Sequence, residues 1–312
     1  MFGPSSIKER RRYYREEWSD KDLPDFIINE IHKREFGFDH NGTGPNDRYK
    51  TFLNEKRLKK FLREKAPFAS YISVAFYTEP RRRGGWQKSE FVFDVDAKDM
   101  PIRSCNCEGV CEICLSEALE YVRLLIDTLK GDLGLKNIHL IYSGRGYHIR
   151  ILDPAIMEEE SDLRGEVVKY VTGADVPTNS IALGYTNLFN KRVKRNILHL
   201  NGKEKIEGLN PKLLKDTLKA RHHLTDDKWG LFKSEISPNP RNSVRYNNLL
   251  RAMANVNLSM VDGKVSIDLK RILRLPSSLH SKVSMKCIEV KNPETFDPLK
   301  YAVPKFVEER ET

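Results

Sequence analysis

Apolar residues along this chain recur with two different periods, and the places where the period changes mark its elements. In residues 115–130, Leu115, Ala118, Leu119, Val122, Leu125, Ile126 and Leu129 fall at steps of three and four. That spacing predicts one buried face of a helix, stopped by Gly131. Residues 137–143 and 147–152 are apolar segments about Gly144, Arg145 and Gly146, which predicts a β-hairpin. Residues 89–96 read as a strand. Its side chains alternate, so Phe91, Phe93 and Val95 face a core while Val92, Asp94 and Asp96 face the other way.

Nearer the N-terminus, residues 5–18 predict a capped basic helix and residues 23–33 a second short helix. Residues 34–52 predict a hairpin, 53–64 a helix, and 71–77 a strand followed by a basic loop over 80–86. From about residue 160 to 250 the chain is richer in Lys, Asn and Leu, with helix-like pieces; Asn210 and Pro211 make a capped helix start. The run Lys191 to Arg195 reads as a solvated charge cluster ahead of a phosphate-contacting patch, and adjacent His222 and His223 as exposed residues rather than metal ligands. Asp262 and Gly263 predict a tight turn, and Ser266 caps a helix over 267–275 that Pro276 ends. Residues 308–312 read as a fraying end. No internal repeat or low-complexity tract interrupts the pattern.

Composition narrows the class. The 312 residues are 31% charged and 39% hydrophobic, as expected of a folded globular protein with one large domain or a core domain carrying an insert. No apolar run approaches the length of a membrane span, and the first residues lack an apolar signal core, so no membrane role and an intracellular location are expected. The net charge of +10 favours a polyanionic partner, nucleic acid first, though phosphate contacts carry no sequence specificity.

Four segments carry chemistry. Asp94 and Asp96 share a strand face, where two carboxylates repel unless a cation lies between them; the readings are a divalent metal site or a hydrated strand end. Cys105, Cys107, Cys111 and Cys114 supply four thiolates within ten residues, enough to close one tetrahedral structural zinc site; the alternative is free or oxidised thiols. Cys287 stands apart as a strand or core residue. The hairpin Ser143 to His148 lets backbone approach phosphate closely, with Arg145 as a fork of donors and His148 and Arg150 on one face, although such a turn is often only a turn. Residues 271–282 place His280 and Lys282 in a polar loop after the expected helix, as an ordinary junction or as two cations at a pocket mouth.

In this order, with Arg34-Glu35-Phe36 ahead of them, the segments resemble the catalytic (small) subunit of archaeal and eukaryotic DNA primase, across residues 34 to 285. The resemblance implies a mixed α/β fold. A primase-type catalytic core of mixed sheets flanked by helices would occupy residues 1–160 and 251–312, with a zinc knob at 103–116 and a mainly helical insertion at 161–250. It implies template-directed primer synthesis on single-stranded DNA by nucleotidyl transfer, with nucleoside triphosphates as substrates and a large regulatory subunit as partner. Asp94, Asp96 and a third aspartate would hold two Mg²⁺ or Mn²⁺ ions. Asp262 and Asp268 both lie in the right segment, and the family's order selects Asp262. Ser143, Arg145, His148, His280 and Lys282 would hold the triphosphate, with Arg48 and Tyr71 as weaker candidates near the nucleotide.

Two departures stand out: four cysteines where some relatives use a histidine, and Val283-Ser284 where the family carries Thr/Ser-Gly. Rival readings are a repair-type polymerase of the primase superfamily, which the cysteine knob disfavours, and a non-catalytic zinc-bearing nucleic-acid-binding module, which leaves the aspartates without a purpose.

Overall fold

Two four-stranded antiparallel sheets frame the molecule, each assembled from strands distant in sequence. The computed structural model describes residues 2–178, 183–239, 241 and 243–310. The chain begins with α1 (Ile7–Arg12), a π-helical turn (Tyr13–Glu17) and α2 (Asp25–Ile28). The hairpin β1 (Phe36–Asp39) and β2 (Asp47–Lys50), α3 (Glu55–Lys65), β3 (Ala69–Ser73), β4 (Ala75–Glu79), β5 (Gly84–Ser89) and β6 (Phe91–Asp96) follow. Next come α4 (Glu112–Gly131), β7 (Ile138–Tyr142), β8 (Gly146–Ile151), α5 (Pro154–Met157) and α6 (Ser161–Thr172). A helical stretch holds α7 (Leu183–His199), α8 (Pro211–Ala220), α9 (His222–Thr225), α10 (Trp229–Ile236) and α11 (Val244–Ser259). The chain closes with α12 (Gly263–Ile267), β9 (Ile272–Arg274), β10 (Ile288–Glu289), α13 (Pro298–Tyr301) and α14 (Lys305–Glu308).

The sheets run β2-β1-β3-β9 and β10-β7-β8-β6, with β4 and β5 as a separate ribbon, which makes the fold mixed α/β. Phe91, Phe93 and Val95 of β6 and Tyr147, Ile149 and Ile151 of β8 pack into one core against the apolar face of α4. A second core fills the space between the N-terminal helices and β1 and β3, and includes Cys287. A third, drawn mainly from residues 185–256, holds the helical stretch together. A small cluster of Val74, Val92, Val265 and Leu273 joins the two sheets to α12. Among the described residues no helix is long and apolar enough to cross a membrane.

Several local expectations hold for local reasons. Ser6 and Glu9 form a reciprocal capping box on α1, and the Asn210 side chain accepts from the Leu213 N–H at 2.9 Å to start α8. Others are corrected. Residues 71–77 are not one strand: the chain breaks at Val74, whose N–H donates to the Arg271 carbonyl and whose carbonyl accepts from the Glu90 N–H, so β3 and β4 enter different sheets. The expected basic loop over 80–86 is a 3₁₀ turn running into β5. The 23–33 helix is split between α2 and a 3₁₀ turn (Ile31–Lys33).

Residues 268–275 are not helical. The helix lies upstream as α12, and Asp262, expected in a tight turn, is its N-cap. Ser266 sits inside α12 and donates to the Val92 carbonyl at 2.6 Å. Leu273 and Leu275 are buried while Ile272 and Arg274 are half-buried, a period of two, and the backbone finds its partners in β3. The charge run 191–195 is not a solvated cluster either. Arg192 is buried and donates to the Leu124 carbonyl at 2.8 Å, and Arg195 donates to the Glu117 carbonyl at 3.0 Å, so both dock α7 onto α4. The C-terminal segment does not fray through Arg310: Glu309 pairs with Arg12 and Arg310 with Glu9. Residues 311 and 312 lie outside the described residues.

The two sheets are tied by a fully buried ionic group. Glu90, just ahead of β6, receives Arg34 on one carboxylate oxygen and Arg150 of β8 on the other, at 2.7 Å for the second pair. All three side chains are sealed from solvent, and the Arg34 guanidinium lies 3.7 Å from the Phe76 ring centroid. Removing the shared anion would strand two buried cations. Glu90→Ala is therefore expected to lose about 3–5 kcal/mol of stability, read as a lowered denaturant midpoint. A loss within 1 kcal/mol of zero, on the order expected of a surface pair, would show that the network carries little.

Candidate active site

The aspartate strand is held from two sides. In the β6–β8 register Asp94 lies opposite His148 and Asp96 opposite Gly146. A side chain at Gly146 would stand 2.1 Å from the Val95 carbonyl oxygen, so the bare glycine is what lets the hairpin lie flush against the aspartates. On the other side α12 packs over Val92 through Val265 and Ser266. The Asp262 N–H donates to the Asp94 carbonyl at 3.0 Å, so Asp262 is fixed beside Asp94 by backbone. Asp268 caps the far end of α12, and its side chain accepts from the Lys270 N–H at 2.9 Å.

The charges respond to this crowding. Burial, then the neighbouring charges of Asp96 and Asp262, push the Asp94 carboxyl up to about 7. The three carboxylates do not close on one another: Asp96 is turned to Arg145, and Asp262 leans to Arg271 at 3.9 Å. Among the described residues, the side-chain groups that gather within 4.8 Å are the four cysteines and His222, His223 and Glu235. Asp96 and Asp262 are each set against an arginine, which offsets the like-charge repulsion.

Around them stand the residues that the sequence pattern singled out, with two additions. Arg145 donates to Asp96 through Nε at 3.0 Å and lies 3.6 Å from Asp99. Ser143 is buried and closes the hairpin, its N–H donating to the Gly146 carbonyl at 2.9 Å. His148 is buried with Nε2 3.5 Å from Asp94, yet burial and the charges of Arg150 and Arg274 push it down to about 3, so it stands neutral. Its Nδ1 is buried and has no hydrogen-bond partner among the described residues. His280 is also held well below its usual range, by burial and then by Arg274 and Arg145. It accepts from the Lys282 N–H on Nδ1 at 3.2 Å, which leaves its proton on Nε2. Lys282 itself is exposed.

The loop that carries His280 comes close because Gly144, at φ 98°, has no side chain; a Cβ there would lie 2.4 Å from that of His280. Ser284, where the resembled family has glycine, keeps the left-handed turn at φ 58°, and its N–H donates to the His280 carbonyl at 2.8 Å. Arg271 and Arg274 are the residues sequence reasoning missed. Their signal was the two-residue alternation of 271–275, hidden by the expectation of a helix. Arg48 and Tyr71 line a cavity of about 360 Å³ beside them, with Arg83, Asp268, Lys270 and Arg271. The fully buried Glu35 carboxylate pairs with Arg48 and Arg83, each at 2.7 Å, and Gly37 leaves room for the Arg48 side chain to cross the sheet.

The cysteine knob spans the approach to α4 and its first turn, with Cys111 as the N-cap and Cys114 inside the helix. Its sulfur atoms stand 3.5 Å (Cys105–Cys107), 3.8 Å (Cys107–Cys114) and 3.8 Å (Cys111–Cys114) apart. Four sulfurs placed tetrahedrally at the usual zinc–sulfur length would be about 3.8 Å apart. The donor set and the spacing therefore fit a zinc site. His222 is exposed and His223 pairs with Glu235 at 3.0 Å.

The DNA primase small-subunit family model matches residues 93–291. The chain is 64% identical to the DNA primase small subunit PriS of Methanobrevibacter smithii, over 99% of each protein. It is 54% identical to that of Methanothermobacter thermautotrophicus, over 100% of this chain and 99% of the relative. It is 41% identical to that of Thermococcus kodakarensis, over 97% and 93% respectively.

The raised Asp94 carboxyl has a consequence for stability. Because its folded value, about 7, lies above its ordinary 3.8, protonation favours the folded state. That contribution is complete below about pH 4 and is lost as pH rises through 7. Without divalent ions, the protein should lose about 2–3 kcal/mol relative to Asp94→Asn between pH 5 and 8. Parallel stability profiles for the two proteins would contradict the assignment.

Proposed function

The chain belongs to the DNA primase small-subunit family, and from that premise we propose that it extends nucleotide chains on single-stranded DNA by template-directed nucleotidyl transfer. Nucleoside triphosphates are the substrates and a large regulatory subunit is the partner, inside the cell. The observation that supports this reading best is the meeting of Asp94, Asp96 and Asp262 with Arg145, His148, Arg274 and His280 at one end of β6.

Asp94, Asp96 and Asp262 are the residues that would hold two Mg²⁺ or Mn²⁺ ions. The donor set is all oxygen, which suits these hard cations, and they would offset the burial and like-charge crowding that raise the Asp94 carboxyl. When bound, such ions activate the attacking 3′-hydroxyl and neutralise the leaving pyrophosphate. The protein's own groups do the rest. Neutral His148, with its unpartnered Nδ1, and His280, with its proton on Nε2, offer imidazole nitrogens to phosphate oxygens. Ser143, Arg145 and Lys282 complete the grip on the triphosphate. Arg145, paired here with Asp96, would turn its guanidinium to phosphate. Arg274, which acts electrostatically on both histidines, adds a fixed positive charge. Stabilisation of charge by groups already in place supplies most of the rate in such reactions.

Cys105, Cys107, Cys111 and Cys114 would hold zinc as a structural ion, since four thiolates leave no open coordination position. The knob leads directly into α4, whose apolar face covers the catalytic sheet.

Asp94→Asn with Asp96→Asn is expected to lower nucleotide incorporation on the order of a thousandfold or more, the scale of losing a principal electrostatic stabiliser, and to leave single-strand binding within a few-fold. Incorporation retained by the double variant would remove the reading. Cys111→Ser with Cys114→Ser should lower thermal stability, or docking of the large subunit, more than it lowers metal-dependent turnover per folded molecule. Elemental analysis finding no zinc in the native protein would contradict the structural-ion assignment.

A further inference from the structure

The edge of the β2-β1-β3-β9 sheet carries an aromatic side chain that the chemistry above leaves unused. Tyr49 lies in β2 with φ 62°, a left-handed conformation that side-chain-bearing residues avoid. The β1–β2 register shifts alongside it, between Phe36 and Phe38. Bulges of this kind re-aim a side chain, and strain held without a packing reason marks positions kept for function. Packing does not explain this one. The residue is 51% exposed and, among the described residues, belongs to none of the hydrophobic clusters.

The kink sends the residues on either side of Tyr49 elsewhere. Arg48 reaches in to Glu35, and Lys50 reaches back to Asp47 at 2.9 Å. Tyr49 is left at the rim, with the Arg48 and Arg83 guanidiniums 5.7 and 5.5 Å from its ring centroid. Those cations are not loose, because the buried Glu35 carboxylate fixes both. They are also walls of the cavity that continues to Lys270 and Arg271, and Arg271 lies 3.9 Å from Asp262. Arg81 and Arg82 stand exposed on the adjoining turn.

An exposed ring, oriented by fixed guanidiniums and bordered by further arginines, suits one class of ligand. The ring face takes an unpaired base and the cations take the phosphates on either side of it. A duplex keeps its bases stacked inside and offers no such face. The cations suited to a triphosphate gather around His148 and His280, whereas this ring lies outside the cavity wall formed by Arg48 and Arg83.

We propose that Tyr49 is a stacking platform for an unpaired base of the single-stranded template, held at the approach to the carboxylates while Arg48 and Arg83 orient the ring. The proposal rests on the template-directed reading above and assigns that template an entry point. Tyr49 would be a binding residue, and Glu35 a positioning residue acting through the two arginines.

The test is anisotropy of a labelled oligothymidylate with the wild type, Tyr49→Ala, Tyr49→Phe and Tyr49→Gly, at several salt concentrations, alongside KM for the nucleotide. Tyr49→Ala should weaken the oligonucleotide about 5- to 100-fold, with the slope against salt unchanged because no phosphate contact is lost. Tyr49→Phe should bind within about twofold of wild type, since the ring is what stacks. Tyr49→Gly should bind as weakly as alanine while melting no lower than wild type, because glycine accepts the left-handed backbone; that variant separates lost stacking from lost folding. Binding by Tyr49→Ala within twofold of wild type would overturn the proposal and leave the polymerase reading standing. A raised nucleotide KM with unchanged oligonucleotide binding would also overturn it, by giving the ring to the substrate. Failure of the wild type to bind the oligonucleotide at all would sink both readings together.

Discussion

A single buried carboxylate decides how the halves of this catalytic framework meet. Glu90 stands between Arg34, at the entrance to one sheet, and Arg150, in the other, with no solvent at any of the three. Two guanidiniums against one anion is an expensive thing to bury, and among the described residues the Arg150 amino groups have no hydrogen-bond partner. The arrangement is tolerated because it fixes position. Four residues beyond Glu90 lies Asp94, and two before Arg150 lies His148, so the clamp sets the register of both strands that carry the site. Arg164 adds to it from α6 by donating to the Ser89 and Glu90 carbonyls at 2.8 and 2.9 Å.

From that frame follows a site whose charges are matched before any substrate arrives. Asp96 holds Arg145, Asp262 leans to Arg271, and Glu35 holds Arg48 and Arg83. These carboxylates and cations neutralise each other in pairs. On the proposed reading, binding a substrate would be an exchange of partners within a fixed scaffold, and the groups held in place are those with backbone or buried partners. Asp262 is tied through its own N–H to Asp94, and His280 is tied through Lys282. Burial keeps both histidines uncharged, so each can still donate without carrying a second desolvated charge.

The glycines of the hairpin illustrate how the same residue serves packing and chemistry. Gly146 lets β8 touch β6, and Gly144 lets the His280 loop sit over the turn. Their value for close approach to phosphate is real in principle, yet in this molecule their nearest constraint is the protein itself. Ser284 shows the opposite economy. It holds a left-handed turn without being glycine, and its hydroxyl donates to the Gly3 carbonyl at 2.6 Å, which anchors the start of the chain under the site.

Much was legible in the residues alone, where local patterns decide the outcome. The alternation in 91–96 fixes which face carries Asp94 and Asp96, the three-and-four spacing builds α4, and the tight cysteine spacing closes the knob, because each depends only on neighbours along the chain. What failed was decided by distant partners. The strand at 272–274 forms because β3 offers its edge, and the break at Val74 follows from bonds to Arg271 and Glu90. Arg192 and Arg195 are buried because α4 presents carbonyls to them. The adjacent Arg34 and Glu35 look alike as a charged pair in the sequence, but the fold sends one to the core clamp and the other behind the arginines that line the cavity. Sequence pattern fixes the direction of a side chain within its element, whereas the partner it meets depends on long-range pairing that only the assembled sheets supply.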